Sequence, residues 1–272
     1  MEKNRSVRAA VLAALALMTT TAATRAARYT ERFERVLPAS ASVEVRLTNV
    51  NGSVSIATWD RASVEIVAEK SLDSRSRADA DEAFDEIEIV VAERAGRIEI
   101  ETRRPKRSHG FFDWIFGRSR NASVRYELRV PRLATLDLRT VNGNVTTDGA
   151  GGGQLLRSTN GKITVRAAHD SVEAHTTNGS IQVELVEAPA RLDVDLGSTN
   201  GSITLALPGS AGGRVAARTV NGSVRSDLPV TLEGAASRRR LSGRLNAGGS
   251  GSIDLRTTNG SIRIHRVDRS SI

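Results

Sequence analysis

The residues best suited to chemistry lie in one stretch, 103–120. It combines Arg103, Arg104, Lys106, Arg107, Arg118 and Arg120 with Phe111, Phe112, Trp114, Ile115 and Phe116. Aromatic tips bracketed by cations suit the headgroup boundary of an anionic membrane, or a docking site on a partner protein. A plainer reading folds Phe111 to Phe116 back as a plug over an open end of the core. The four histidines, His109, His169, His175 and His265, lack close metal-ligand spacing, and no His-Glu-x-x-His occurs, so no metal site is expected. Gly248-Gly249-Ser250-Gly251-Ser252-Ile253 approaches a calcium-binding nonapeptide, but Ile253 stands where the liganding Asp must be. Asp193 and Asp195 could form a carboxylate pair acting on an acidic polysaccharide. Two acids alternating outward on a strand are ordinarily surface, so no catalytic residue and no cofactor is assigned.

The elements that must position these residues announce themselves through a recurring phrase, Thr/Ser-x-Asn-Gly. It is centred on Asn142, Asn160, Asn178, Asn200, Asn221 and Asn259, with an outlying copy at Asn51. From Asn142 the intervals run 18, 18, 22, 21 and 38, the last read as one degenerate turn around 230–250. Four residues before each Asn stand Leu138, Leu156, Ala174, Leu196, Ala217 and Leu255, and three after it stand Val145, Ile163, Ile181, Ile203, Val224 and Ile262. Alternation of period two means strands with one buried face. By this count the Thr/Ser and the Asn of each phrase also point inward. The outward positions three before Asn (Arg139, Arg157, His175, Gly197, Arg218, Arg256) form a basic stripe. Asp137, Glu173, Asp195 and Asp254, two residues earlier, are placed to neutralise it.

Two architectures fit. In an antiparallel meander, Asn-Gly is the favoured hairpin turn because both central residues need positive φ. In a β-solenoid it turns the chain at the same corner of every coil, and the asparagines stack as a hydrogen-bonded ladder. Only like-on-like stacking also accounts for the constant Thr/Ser. The expected fold is therefore all-β, a single-stranded β-helix or solenoid with about 18–22 residues per turn, as the intervals require. One short helix over 76–84 is expected in the N-terminal part, with acids near its start. A coil of about 20 residues loses roughly 1–2 kcal/mol of backbone entropy per residue, more than its few inward aliphatics return, so each coil must bury its faces on neighbours.

The x-Thr-x-Asn-Gly-Ser-Ile units, led by Tyr126-Glu127-Leu128-Arg129-Val130-Pro131, resemble the "putative adhesin" family of bacterial envelope proteins over roughly 40–265. The resemblance implies a β-helical fold, export and an adhesin-like role. It supplies no catalytic residues.

Composition agrees with this organisation. Aromatics are only 3% of the chain, which suits narrow, repetitive aliphatic layers. Residues 1–26 read as a signal peptide: Lys3, Arg5 and Arg8 precede an apolar run from Ala9 to Met18 and small residues up to Ala26. That run is too short to span a bilayer, which takes about 20 residues. No cysteine is present, so an exported chain would be held by packing without disulfides or a lipid anchor on Cys. The formal charge of +8 does not describe a nucleic-acid-binding body, because 103–120 holds all the net charge that remains beyond the leader. The domain reading is 1–26 leader, 27–130 a β-rich capping region carrying the 103–120 loop, and 131–268 the repeat array. The expected function is an exported, non-enzymatic adhesin-like or structural module in the periplasm or at the bacterial cell surface. Its candidate partners are an anionic envelope glycan, a lipid headgroup or a membrane protein, and not nucleic acid. The alternatives are a periplasmic sensor or accessory protein docking a membrane partner, and, ranking below it, a polysaccharide-active enzyme.

Overall fold

The computed structural model describes residues 26–103, 122–233, 237–246 and 249–267. Each repeat forms one coil of two strands meeting at Asn-Gly, and the coil is named here by its asparagine. The Asn178 coil, for example, is Val172–Asn178 followed by Ile181–Leu185. All first strands join an 11-stranded sheet and all second strands a 10-stranded sheet, with the coils in parallel register. Leu138, Leu156, Ala174 and Leu196 in one sheet and Ile163, Ile181 and Ile203 in the other are fully buried between the two layers. The protein is a β-solenoid.

The coils do not stack in chain order. Following the larger sheet, the order is Asn51, Asn142, Asn160, Asn178, Asn200, Asn259, Asn221. The last coil, Ser250–Asn259 with Ile262–Arg266, therefore slots between the Asn200 coil and the Asn221 coil. This corrects the expectation of a degenerate turn over 230–250. Val230–Leu232 and Arg240–Leu245 instead double back antiparallel to cover the edge of Gly213–Asn221. The opposite end repeats the device. The Asn51 coil (Glu44–Thr48, Val54–Trp59), which the sequence reading put in a capping region, lies inside the stack. It sits between the Asn142 coil and a coil made of Arg97–Arg103 and Ser123–Pro131. At both ends the coil nearest the chain terminus is flanked on two sides, which opposes the fraying that afflicts termini and outermost repeats.

Beyond that coil, Ala27–Pro38 and Ser63–Ser74 form a long antiparallel ribbon on one sheet, and Glu88–Arg94 extends the other. A helix, Arg77–Asp85, begins at Ser76, whose side chain accepts a hydrogen bond from the Asp79 N–H. It buries Ala80, Ala83 and Phe84, so Phe84 and its neighbours close this end of the core. Lys70 Nζ, also buried, donates to Phe84 O at 3.0 Å and to Glu31 at 2.7 Å. A cation at the carboxyl end of a helix is favourably placed there.

Candidate functional site

The Asn-Gly corner sets the geometry of everything that follows. Each asparagine Nδ2 donates to the Oδ1 of the asparagine before it in the stack. The bonds run Asn142 to Asn51, Asn160 to Asn142, Asn178 to Asn160, Asn200 to Asn178, Asn259 to Asn200 and Asn221 to Asn259, at 2.7–2.8 Å. The inward placement assigned to Asn142, Asn160, Asn178, Asn200, Asn221 and Asn259 is corrected, because all six are exposed. The strand ends at the asparagine and the chain is already turning, so the alternation stops there. The Thr/Ser two residues earlier does point inward, for a reason the sequence reading did not supply. Its hydroxyl donates to the glycine carbonyl of the neighbouring corner: Ser158 to Gly143, Thr176 to Gly161, Ser198 to Gly179, Thr257 to Gly201 and Thr219 to Gly260. At the Asn51 corner, Asn49 takes this position and its Nδ2 occupies the Gly52 carbonyl, leaving the Thr140 hydroxyl without a partner.

The glycines are explained by proximity. Gly143, Gly161, Gly179, Gly201, Gly222 and Gly260 are not in the positive-φ region that favours glycine, and only Gly52 among the corners is. A Cβ on Gly161 would stand 1.9 Å from the Gly143 oxygen, and one on Gly179 would stand 2.0 Å from the Gly161 oxygen. Stacked corners have no room for a side chain. A hairpin turn would instead have required positive φ.

On the outer face of the larger sheet, this stacking turns sequence positions into rows. Asp137 receives both Arg46 (3.0 Å) and Arg139 (3.1 Å), and Glu173 receives Arg157 (2.7 Å) and His175 (3.6 Å). Arg256 pairs with Asp254. Asp193 accepts from Arg191 at 2.8 Å and from the Ser252 N–H at 3.0 Å, and the Arg191 hydrogen bond is the main cause holding its carboxyl below the usual range. A carboxylate so held is a poor proton donor, so Asp193 does not fit the acid's part in a pairing with Asp195.

The pairing breaks down at one end. On the Asn221 coil the acid position is filled by Ala216, so Arg218 has no carboxylate two residues away. Its cross-strand neighbours are Arg256 on one side and Arg240 on the other. The side chains of Arg218, Arg239 and Arg240 have no acidic partner among the described residues, and with Arg256 they line a cleft of about 750 Å³ whose wall also carries Ser237 and Thr258. Like charges on adjacent strands repel. Guanidinium groups arrayed this way suit bidentate recognition of carboxylate, sulfate or phosphate. The basic stripe read from sequence is thus neutralised along most of its length and open at this end. Arg239 and Arg240 were missed because 230–250 was taken for a coil. The available signal was Ala216, which breaks the acidic row as Leu155 does; Arg157 beside Leu155 still pairs with Glu173 of the next coil, whereas Arg218 makes no such pair among the described residues.

Of the predicted contact segment, Arg103 is described and pairs with Glu101 at 2.7 Å. Arg104, Lys106, Arg107, Phe111, Phe112, Trp114, Ile115, Phe116, Arg118 and Arg120 lie outside the described residues, as does the leader. The strands on either side of the segment, Arg97–Arg103 and Ser123–Pro131, form the coil next to Asn51, so the segment takes the place in the chain that Asn-Gly has elsewhere. Among the described residues no group of His, Asp or Glu is arranged to hold a metal ion. No described helix is long and apolar enough to cross a membrane.

These features define a parallel β-solenoid closed by antiparallel caps, with a charged sheet face. The chain belongs to the Toastrack DUF4097 family, which it matches over residues 37–265. A putative cell adhesion protein from Clostridium sporogenes ATCC 15579 shares the fold at 13% identity. Its TM-score is 0.53, over 88% of this chain and 100% of that one. A putative adhesin from Bacteroides fragilis NCTC 9343 aligns at 13% identity and a TM-score of 0.40, over 87% of this chain and 97% of its own. No curated protein matches the chain.

Proposed function

We propose that this protein is an exported, non-enzymatic module of the bacterial envelope that binds an anionic glycan through the Arg218–Arg239–Arg240–Arg256 cleft. The observation that carries the reading is the row Arg240–Arg218–Arg256 on three adjacent strands. A solenoid that neutralises its arginines coil after coil leaves Arg218 and Arg240 without a carboxylate partner among the described residues, beside an Arg256 already paired with Asp254, at a cost in stability that a bound polyanion would reverse. Export rests on the leader pattern of 1–26. The adhesin-like role is supported by the adhesion-related name of the Clostridium sporogenes protein that shares the fold. The 103–120 segment, from its composition, supplies a second contact with a lipid headgroup or membrane protein.

The test is affinity electrophoresis of the chain lacking 1–26 through gels containing a uronic-acid polymer, a sulfated polymer or a neutral glucan. Retardation is expected in the anionic gels only, falling with salt. It should drop by at least about tenfold in an R218A/R239A/R240A variant, since the loss of even one charge-assisted hydrogen bond, worth roughly 1.5–3 kcal/mol, has that effect. Absence of retardation in both anionic gels, or equal retardation of the variant, refutes the reading. A protein that also releases unsaturated products or new reducing ends from the polymer is an enzyme instead.

A further inference from the structure

The ladder has a direction, and the direction leaves one corner chemically unlike the others. In six of the seven Asn-Gly corners the glycine N–H is tied to the asparagine carbonyl of the next coil. The bonds are Gly52 to Asn142, Gly143 to Asn160, Gly161 to Asn178, Gly179 to Asn200, Gly201 to Asn259 and Gly260 to Asn221, at 2.9–3.0 Å. The Asn221 coil is the last in the stack, so Gly222 N–H has no acceptor among the described residues. The asparagine side chains follow the same logic. Asn142, Asn160, Asn178, Asn200 and Asn259 are held at both Nδ2 and Oδ1, whereas Asn221 is held only through Nδ2, by Asn259.

We propose that Asn221-Gly222 is a site of spontaneous succinimide formation and deamidation, a reaction that the other six Asn-Gly corners are locked against. Asn-Gly is the dipeptide least hindered toward this chemistry because glycine offers no side chain against ring closure. The Gly222 backbone nitrogen attacks the Asn221 side-chain carbonyl carbon, forming the new N–C bond. The bond from that carbon to Nδ2 breaks, and Nδ2 leaves as ammonia with the proton lost from the Gly222 amide. Solvent water then opens the imide at either carbonyl, giving aspartate or isoaspartate at position 221. In a locked corner the attacking N–H must first leave its carbonyl, and the side chain must leave two ladder bonds, or one at Asn51, before its carbon can swing toward the nitrogen. At Asn221 the nucleophile has no acceptor to leave among the described residues, and a single ladder bond holds the side chain.

The product changes the end of the stack in two ways. A carboxylate at 221 presents an acceptor to Asn259 Oδ1 where Nδ2 had donated, and isoaspartate lengthens the main chain at a corner with no spare room. A Cβ on Gly222 would already stand 2.0 Å from the Gly260 oxygen. The new charge also follows directly on Thr219 and Val220, which line the arginine cleft. That last consequence rests on the anionic-glycan reading; the modification itself does not.

Ageing the folded chain in mildly alkaline buffer, with peptide mapping by mass spectrometry and isoaspartate detection, tests the assignment. The Asn221 peptide should convert faster than those carrying Asn51, Asn142, Asn160, Asn178, Asn200 and Asn259, by roughly tenfold or more, the order expected for the one or two further net hydrogen bonds those corners must break. In the urea-denatured chain the seven should convert at comparable rates. A locked corner converting as fast as Asn221 in the folded chain overturns the proposal, as does an Asn221 that stays intact while the denatured chain deamidates. In an N221Q variant the fast product should vanish with the slow sites unchanged; persistence of a fast product elsewhere has the same overturning force. If Asn221 converts but the aged protein runs like fresh protein in anionic gels, the modification stands and the glycan reading loses its support.

Discussion

Arg218 and Arg240 are direct cross-strand partners in an antiparallel pair, two cations side by side on a sheet whose other arginines mostly lean on acids. Such a pair opposes folding by a few tenths of a kcal/mol to about 1 kcal/mol. Reversing one member should therefore move stability and binding in opposite directions. Arg240→Glu is expected to raise stability by about 0.5 kcal/mol, read by urea denaturation, while abolishing retardation in anionic gels. A variant that loses stability, or that keeps its binding, would show that the row is ordinary surface.

The corner glycines give a sharper test of the stacking geometry. Gly179 has ordinary φ, but a Cβ there would meet the Gly161 oxygen at 2.0 Å. Gly96 is the converse, with φ at +82° and nothing within 4 Å. Gly179→Ala should cost about 3 kcal/mol, because the backbone of one coil must move away from the next. Gly96→Ala should cost about 1 kcal/mol, the left-handed penalty alone. Equal losses in chemical denaturation would mean the coils can separate to admit a methyl group.

Thr176 and Thr140 occupy the same place in corners two coils apart and differ in one bond. Thr176 Oγ1 donates to the Gly161 carbonyl at 3.0 Å, while the carbonyl opposite Thr140 is already taken by Asn49. Replacement by valine removes a satisfied hydroxyl in the first case and an orphaned one in the second. Thr176→Val should therefore destabilise by about 1 kcal/mol, and Thr140→Val should be neutral or stabilising. Two equal losses would leave the hydroxyl-to-glycine bond without energetic meaning.

The fold was legible because the alternation around Leu156, Ala174, Ile163 and Ile181 is strict and the corner phrase hardly varies. That same uniformity hid the order of the coils. Coils of nearly identical sequence pair equally well in any order, so nothing in the phrase around Asn259 says that it lies inside Asn221 rather than beyond it. The order is set by the return through 230–245, whose strands lack the phrase altogether. The arginine cleft depends on that order, because Arg218 meets Arg256 and Arg240 only after the insertion. The orientation of the asparagines failed for a different reason: period-two counting assumes a strand, and Asn142 and its equivalents stand where the strand ends.

The buried network at the far end of the stack makes a prediction about pH. Tyr126 is fully buried, and its hydroxyl is 2.7 Å from Thr102 Oγ1, which donates in turn to Asn49 Oδ1 at 3.0 Å. Thr102 and Tyr126 lie on the two strands of one coil, so the network ties the two sheets together. Burial pushes the phenol from 10.0 up to about 12, with the Thr102 hydrogen bond pulling the other way. The folded state thus holds its proton more tightly than the unfolded chain does. The stabilisation linked to this group is complete below the unfolded pKa near 10 and is lost as pH rises through about 12. A shift of that size corresponds to about 2–3 kcal/mol. Tyr126→Phe cannot ionise, so it should lack this part of the alkaline decline, although it loses about 1 kcal/mol at neutral pH with its hydrogen bond. Lysines also titrate in this range, so the informative quantity is the difference between the two proteins in urea denaturation from neutral pH upward. The two stability curves should converge and then cross as pH climbs past 10. Parallel curves would mean that the Tyr126 phenol ionises as readily in the folded protein as in the unfolded one.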